Sequence, residues 1–198
     1  MLTEIYLEYF KCFEKLRLPL APLTLLTGLN ASGKSSILQA LLLLHQTAVD
    51  NKFSDSLLLH GSVVRLGTAG DVIDKVNGRD ELTIKLSTDK DSFLWRFNAT
   101  DRDKLVIPLQ DVEYCYTDDG IYKSEKKMVG KDFYRLFFPF SSRVTSEVKL
   151  GDNFAKYKTL LENLTYVSAD RLGPRETYVV STSDRLTGQR IHRAKSYI

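Results

Sequence analysis

The sequence predicts an α/β fold: a mixed sheet that opens on an antiparallel hairpin and carries a strand–loop–helix unit against its core. Three observations support it. Apolar and polar residues alternate over residues 2–9 and again over 13–20, as in half-buried strands. A nearly continuous apolar run over residues 22–27 leads into a glycine-rich loop. Residues 35–47 then carry Ile37, Leu38, Ala40, Leu41, Leu42 and Leu44 without glycine or proline, the pattern of a buried helix.

Composition narrows the class. A chain of 198 residues is long enough for one domain with a real core. With 43% hydrophobic and 27% charged residues it reads as globular rather than disordered. No apolar run is long enough to span a bilayer. Met1-Leu2-Thr3-Glu4 lacks the basic and apolar regions of a signal peptide, so no membrane partner and a cytoplasmic location are expected. A net charge of +3 is too weak to imply nucleic acid by itself. Cys12 and Cys115 make no disulfide framework. His45, His60 and His192 show no metal-ligand spacing, so all five residues are expected to be structural or superficial.

The elements come in order along the chain. Phe10-Lys11-Cys12 is the expected turn between the first two strands, with Leu16, Leu18 and Leu20 on one face of the second. Residues 22–27 fit a strand buried on both faces. Residues 63–66, 81–86 and 93–97 are further strand candidates, and 105–116 holds one or two more. Asp118-Asp119-Gly120 is a turn; residues 132–140 are aromatic-rich and ambiguous. Residues 153–163 predict a helix, with Phe154, Tyr157, Leu160 and Leu161 at helical spacing, and 164–168 a short strand. The stretch from Arg185 to Lys195 is basic, most simply a solvated tail.

The loop carries the chemistry. Gly28-Leu29-Asn30-Ala31-Ser32-Gly33-Lys34-Ser35 matches G-x-x-x-x-G-K-[ST] in full, between an expected strand and an expected helix. Gly28 and Gly33 permit backbone torsions that side chains disfavour. The loop amides, from Asn30, Ala31, Ser32 and Gly33 onward, can then cradle phosphates, helped by the helix N-terminus. Lys34 is a point charge for the β- and γ-phosphates and the candidate catalytic residue; Ser35 is the candidate ligand of Mg²⁺. Ser36 and Asn30 can add hydrogen bonds. The expected ligand is Mg-ATP. A hydrolase also needs an acid closing an apolar strand. Asp111 comes after Pro108 and Gln110, and Asp170 closes the polar run Leu164 to Ala169, so neither fits well. Asp170 is a candidate contact to the metal or its water, with loop capping as the plain alternative.

The opening Ile5-Tyr6-Leu7-Glu8-Tyr9-Phe10-Lys11-Cys12-Phe13, with Gly28 to Leu41, resembles ABC-type chromosome and repair ATPases. That group includes the RecF, Rad50, SMC and OLD-like proteins. Two further stretches are similar to AAA-type ATPases that carry a DUF3696 domain. One is Arg65-Leu66-Gly67-Thr68-Ala69-Gly70-Asp71-Val72-Ile73. The other is Tyr166-Val167-Ser168-Ala169-Asp170-Arg171-Leu172-Gly173-Pro174-Arg175. The resemblance implies a truncated ABC-type ATPase head, with residues 1–178 its N-terminal lobe. Residues 179–198 would be a basic segment, disordered or the start of a missing lobe. It also implies a C-terminal lobe with signature, Walker B and switch motifs not found here, and a second head in a homodimer. Arg171 and Arg175 would read phosphate or a partner head, or anchor a loop. Nucleic acid is a partner by this resemblance only.

Three other readings compete. A small GTPase needs a base-reading N-K-x-D and a D-x-x-G switch; Gly67 stands where the switch needs its Asp. A phosphotransferase like the nucleotide kinases would use Arg185-Leu186-Thr187-Gly188-Gln189-Arg190-Ile191-His192 as a lid, but such kinases usually begin on the phosphate-loop strand. A non-hydrolysing nucleotide switch that docks a partner is the third.

Overall fold

The computed structural model describes residues 1–50, 55–76, 80–118, 121–128 and 156–167. The chain divides into a unit over Met1–Leu164 and another over Thr165–Ile198; of the second, 165–167 are described.

The hairpin forms as expected. Strands β1 (Leu2–Phe10) and β2 (Phe13–Pro19) pair antiparallel, with Leu7 opposite Leu16. The buried residues of β1 are Ile5, Leu7 and Phe10, so the alternation slips by one after Leu7. Tyr9, at φ 55°, is where the strand changes phase and turns Phe10 inward. On the edge strand β2, Lys15 pairs with Glu8 at 3.2 Å and Arg17 pairs with Glu4. Such charges guard an open sheet edge against pairing with other chains.

Helix α1 (Lys34–Asp50) extends the expected span by a few residues at its end. It buries Ile37, Ala40, Leu43, Leu44 and Ala48 in the main core. Two of its polar side chains are also fully buried and hold the segment from Ser56 to Val64 in place. Gln46 donates to Leu58 O (2.7 Å) and accepts from Val64 N (2.9 Å). Thr47 accepts from Leu58 N at 3.0 Å. These bonds fix the short strand β3 (Ser56–Leu58), which sequence patterning does not reveal. They also explain why residues 63–66 are no strand: Val64 bonds to a side chain and Leu66 N folds back to Leu59 O, leaving one bridge between His60 and Arg65.

A single helical turn, α2 (Ala69–Val72), precedes strands β4 (Glu81–Thr88), β5 (Asp91–Asn98), β6 (Val106–Asp118) and β7 (Ile121–Met128). The expected strands over 81–86 and 93–97 lie within β4 and β5, and the 105–116 region is one long strand. The sheet order is β2-β1-β4-β5-β6-β3, and β7 also pairs β6. All these pairings are antiparallel, so the described sheet is not mixed as expected. Leu82, Ile84 and Leu86 of β4 and Phe93, Trp95 and Phe97 of β5 are fully buried on one face. A bulge of β6 opposite Arg96 and Phe97 shifts its inward set from Ile107 and Leu109 to Val112 and Tyr114. On the other face Arg96 forks between Asp111 (2.6 Å) and Glu113 (2.9 Å).

Residues 22–27 depart most from expectation. They form no strand, and Leu23 and Leu25 are 88% and 81% exposed. Ala21 N instead bonds the Thr24 hydroxyl at 3.0 Å. An apolar run is buried as a strand only where neighbours pair with it, and among the described residues none does.

A helix over 156–162, α3, lies within the expected 153–163 span and closes the core with Tyr157 and Leu161. Residues 164–167 are not a strand, and Val167 is exposed. Residues 132–140, Asp170, Arg171, Arg175 and 185–195 lie outside the described residues.

Tyr157 donates to Asp91 at 2.8 Å, and Lys156 (2.8 Å) and Thr88 also bond that carboxylate. Burial pushes the Asp91 carboxyl up, but the bonds from Lys156, Thr88 and Tyr157 outweigh it and hold it below its ordinary value. Burial, then the bond to Asp91, raises the Tyr157 phenol well above its ordinary value. A depressed carboxyl contributes stability that is lost as pH falls below about 4; a raised phenol contributes stability that is lost as pH rises above about 10. Melting temperature against pH should therefore fall on both sides. Asp91→Asn should flatten the acid limb and Tyr157→Phe the alkaline one; limbs unchanged in both variants would refute the assignment.

Candidate functional site

The phosphate-loop motif spans Gly28 to Ser35, with Ser36 after it, and closes on the N-terminus of α1. Three of its residues take left-handed torsions: Gly28 (φ 147°), Ala31 (φ 65°) and Gly33 (φ 89°). Glycine does so freely; Ala31 does so at a cost of about 1 kcal/mol, and the motif alone does not mark it for this. The loop is tight, with Ser32 N bonded to Leu29 O at 3.3 Å.

The helix end is open. Its first bond back into the loop is Ile37 N to Gly33 O, at 3.2 Å. Among the described residues nothing accepts from the amides of Gly33, Lys34, Ser35 or Ser36. No acidic side chain stands in the first turn to offset the helix dipole. A helix start with unsatisfied amides and no internal anion suits an external one.

Lys34 is folded onto the loop. Its ammonium donates to Gly28 O (2.8 Å), Leu29 O (2.5 Å) and Ser32 Oγ (3.2 Å). Its charge therefore sits at the loop, and engaging a phosphate means exchanging these acceptors. Asn30, Ala31, Ser32 and Ser35 are exposed, and Gly33, Lys34 and Ser36 are half-buried. The structure thus brings the motif residues together. Ser35 supplies one hard oxygen at the helix start, which fits Mg²⁺ only when phosphate oxygens and water complete its shell.

Of the other candidates, Asp111 is engaged by Arg96 within the sheet. His45 Nδ1 lies 2.7 Å from Leu161 O, a structural contact. Among the described residues no group of three or more His, Cys, Asp or Glu could hold a metal, and no helix is long and apolar enough to cross a membrane. A polar groove of about 340 Å³ lies at the β4–β5 turn, between Glu4, Arg17, Lys85 and Asp91. No phosphate-loop residue lines it.

The site also has a wall that motif spacing does not disclose. A Cβ on Gly33 would lie 2.4 Å from Phe13 Cζ and 2.8 Å from Cys12 Sγ, so the β1–β2 turn packs directly on the loop. No local signal marks this contact, because the partners are some twenty positions apart.

Comparison with curated proteins and with solved structures gives no match. Residues 1–179 match the AAA ATPase domain family, covering the hairpin, the loop and the sheet. The chain belongs to this AAA ATPase domain family and is an ATP-binding, ATPase-like protein.

Proposed function

We propose that residues 28–36 bind Mg-ATP and that the chain is the phosphate-binding portion of an ABC/SMC-like ATPase head. Within that class its resemblance is to the ATPases with a DUF3696 domain. The open first turn of α1, behind a loop with three left-handed residues, carries this reading. The amides of residues 33–36 receive phosphate oxygens. Lys34 leaves its loop carbonyls for the β- and γ-phosphates. Ser35 offers its hydroxyl to Mg²⁺, and Asn30 and Ser36 add hydrogen bonds. Bound Mg²⁺ neutralises charge that develops on the phosphates.

In this reading hydrolysis needs groups from a further lobe and a second head. The exposed run over residues 22–27 supports the first of these. It is apolar, it pairs with no strand among the described residues, and it leads directly into the loop, so the next strand of that lobe would cover Leu23 and Leu25.

The test is titration of a fluorescent ATP analogue with Mg²⁺, alongside phosphate release, for the wild type and Lys34→Ala. The wild type should bind without turnover. Lys34→Ala should weaken binding at least about tenfold, because charged hydrogen bonds contribute about 1.5–3 kcal/mol. Binding that is absent, or indifferent to Lys34, would sink the reading. Lys34-dependent turnover would place a catalytic acid in this chain, with Asp170 the first to replace. Turnover only with a nucleoside monophosphate would make it a phosphotransferase.

A further inference from the structure

We infer that the β1–β2 turn sets the position of the phosphate loop, with Phe13 as the positioning residue. The inference rests on the reading that the loop binds nucleotide. Gly33 is the last loop residue before α1, and its carbonyl accepts the bond from Ile37. Its placement therefore sets where the amides of residues 33–36 point. The Phe13 ring edge and the Cys12 thiol occupy the space a side chain on Gly33 would need.

The turn is itself held firmly. Lys11 N bonds Val72 O at 2.8 Å and Asp74 N bonds Tyr9 O at 2.9 Å. Phe10 bridges to Ile73, and both are fully buried. The Lys11 ammonium donates to Gln39 on α1 at 2.8 Å. Tyr9 (φ 55°) and Lys11 (φ 52°) are both left-handed without being glycine. Such strain persists only where the surroundings over-determine the backbone. The anchor continues outward, since Ala69 N bonds Lys104 O and Gly70 N bonds Arg102 O, each at 2.8 Å. The stretch from Gly67 to Asp74, which the nucleotide chemistry left without a role, thereby becomes the fixed base of the turn. The turn passes that fixed position to Gly33.

Affinity for the fluorescent ATP analogue should fall about tenfold in Phe13→Ala and largely recover in Phe13→Leu, which refills part of the space. Leu86→Ala, a buried truncation in β4 far along the sheet from the turn, serves as the control. A role in packing alone predicts the same affinity loss for the same drop in melting temperature in both. The exposed Cys12 thiol gives a second readout, with the buried Cys115 as internal reference. Mg-ATP should slow maleimide labelling of Cys12 several-fold in the wild type. A wild type that binds nucleotide beside a Phe13→Ala that binds equally well, or that loses no more affinity than its control, overturns the inference alone. So does Cys12 labelling indifferent to Mg-ATP. A wild type that binds none overturns the nucleotide reading and this inference with it.

Discussion

Gly33→Val should abolish nucleotide binding while the sheet stays folded. Two effects add. The backbone at Gly33 is left-handed (φ 89°), where a β-branched residue is a genuine outlier. The new Cβ would also sit 2.4 Å from the Phe13 ring, against a comfortable carbon–carbon contact of about 3.5–4.0 Å. The turn is pinned by Val72 and Asp74, so the loop yields instead, and its amides lose their common aim. Overpacking alone costs about 1–3 kcal/mol, and the torsional strain is additional, so a loss of affinity of about 100-fold or more is expected. Titration with the fluorescent analogue measures it, and a circular dichroism melt confirms that the variant is folded. Affinity within a few-fold of the wild type would show that the loop does not bind phosphate in this conformation.

The second large effect concerns association. Leu23 and Leu25 stand almost fully exposed in a stretch that forms neither helix nor strand. If that run awaits a further lobe, copies of the isolated chain should cover it with each other. Light scattering should then show mass rising with concentration, and Leu23→Lys combined with Leu25→Lys should return the chain to a monomer. Burying two leucines contributes about 3–6 kcal/mol, so the association constant should drop by about 100-fold or more. A wild type that stays monomeric at high concentration would contradict this.

Elements with local causes were legible in the sequence. The alternation of β1 and β2, the apolar circumference of α1 and the glycine spacing of the loop each lie within one short window. Elements held by distant partners were not. Strand β3 depends on Gln46 and Thr47 of α1, which look like ordinary polar positions in a helix. Strand β7 is written in polar residues such as Lys123 and Glu125 and exists because β6 pairs it. Helix α2 did carry a readable sign: Thr68 precedes Asp71 by three, and that carboxylate accepts from the Thr68 amide at 3.1 Å. Residues 22–27 misled because their apolarity records a demand for neighbours, and the described residues meet it only at Leu26. At the site, motif spacing located Gly28, Lys34 and Ser35. It could not reveal that Lys34 folds back on the loop, nor that Phe13 meets Gly33.

The place of β1 in the sheet bears on the order of folding. Strands β4, β5, β6 and β7 succeed one another as hairpins, each closed by a short connection. β1 instead pairs with β4, joining Glu8 to Thr83 across more than 70 positions of chain. Closing so long a circuit costs roughly 2–3 kcal/mol more entropy than closing a short hairpin. The residues that would hold nucleotide lie wholly inside that circuit. The meander can zip up early from its own neighbours, whereas the loop is held at both ends only once the circuit is tied, so competence to bind should emerge late in refolding.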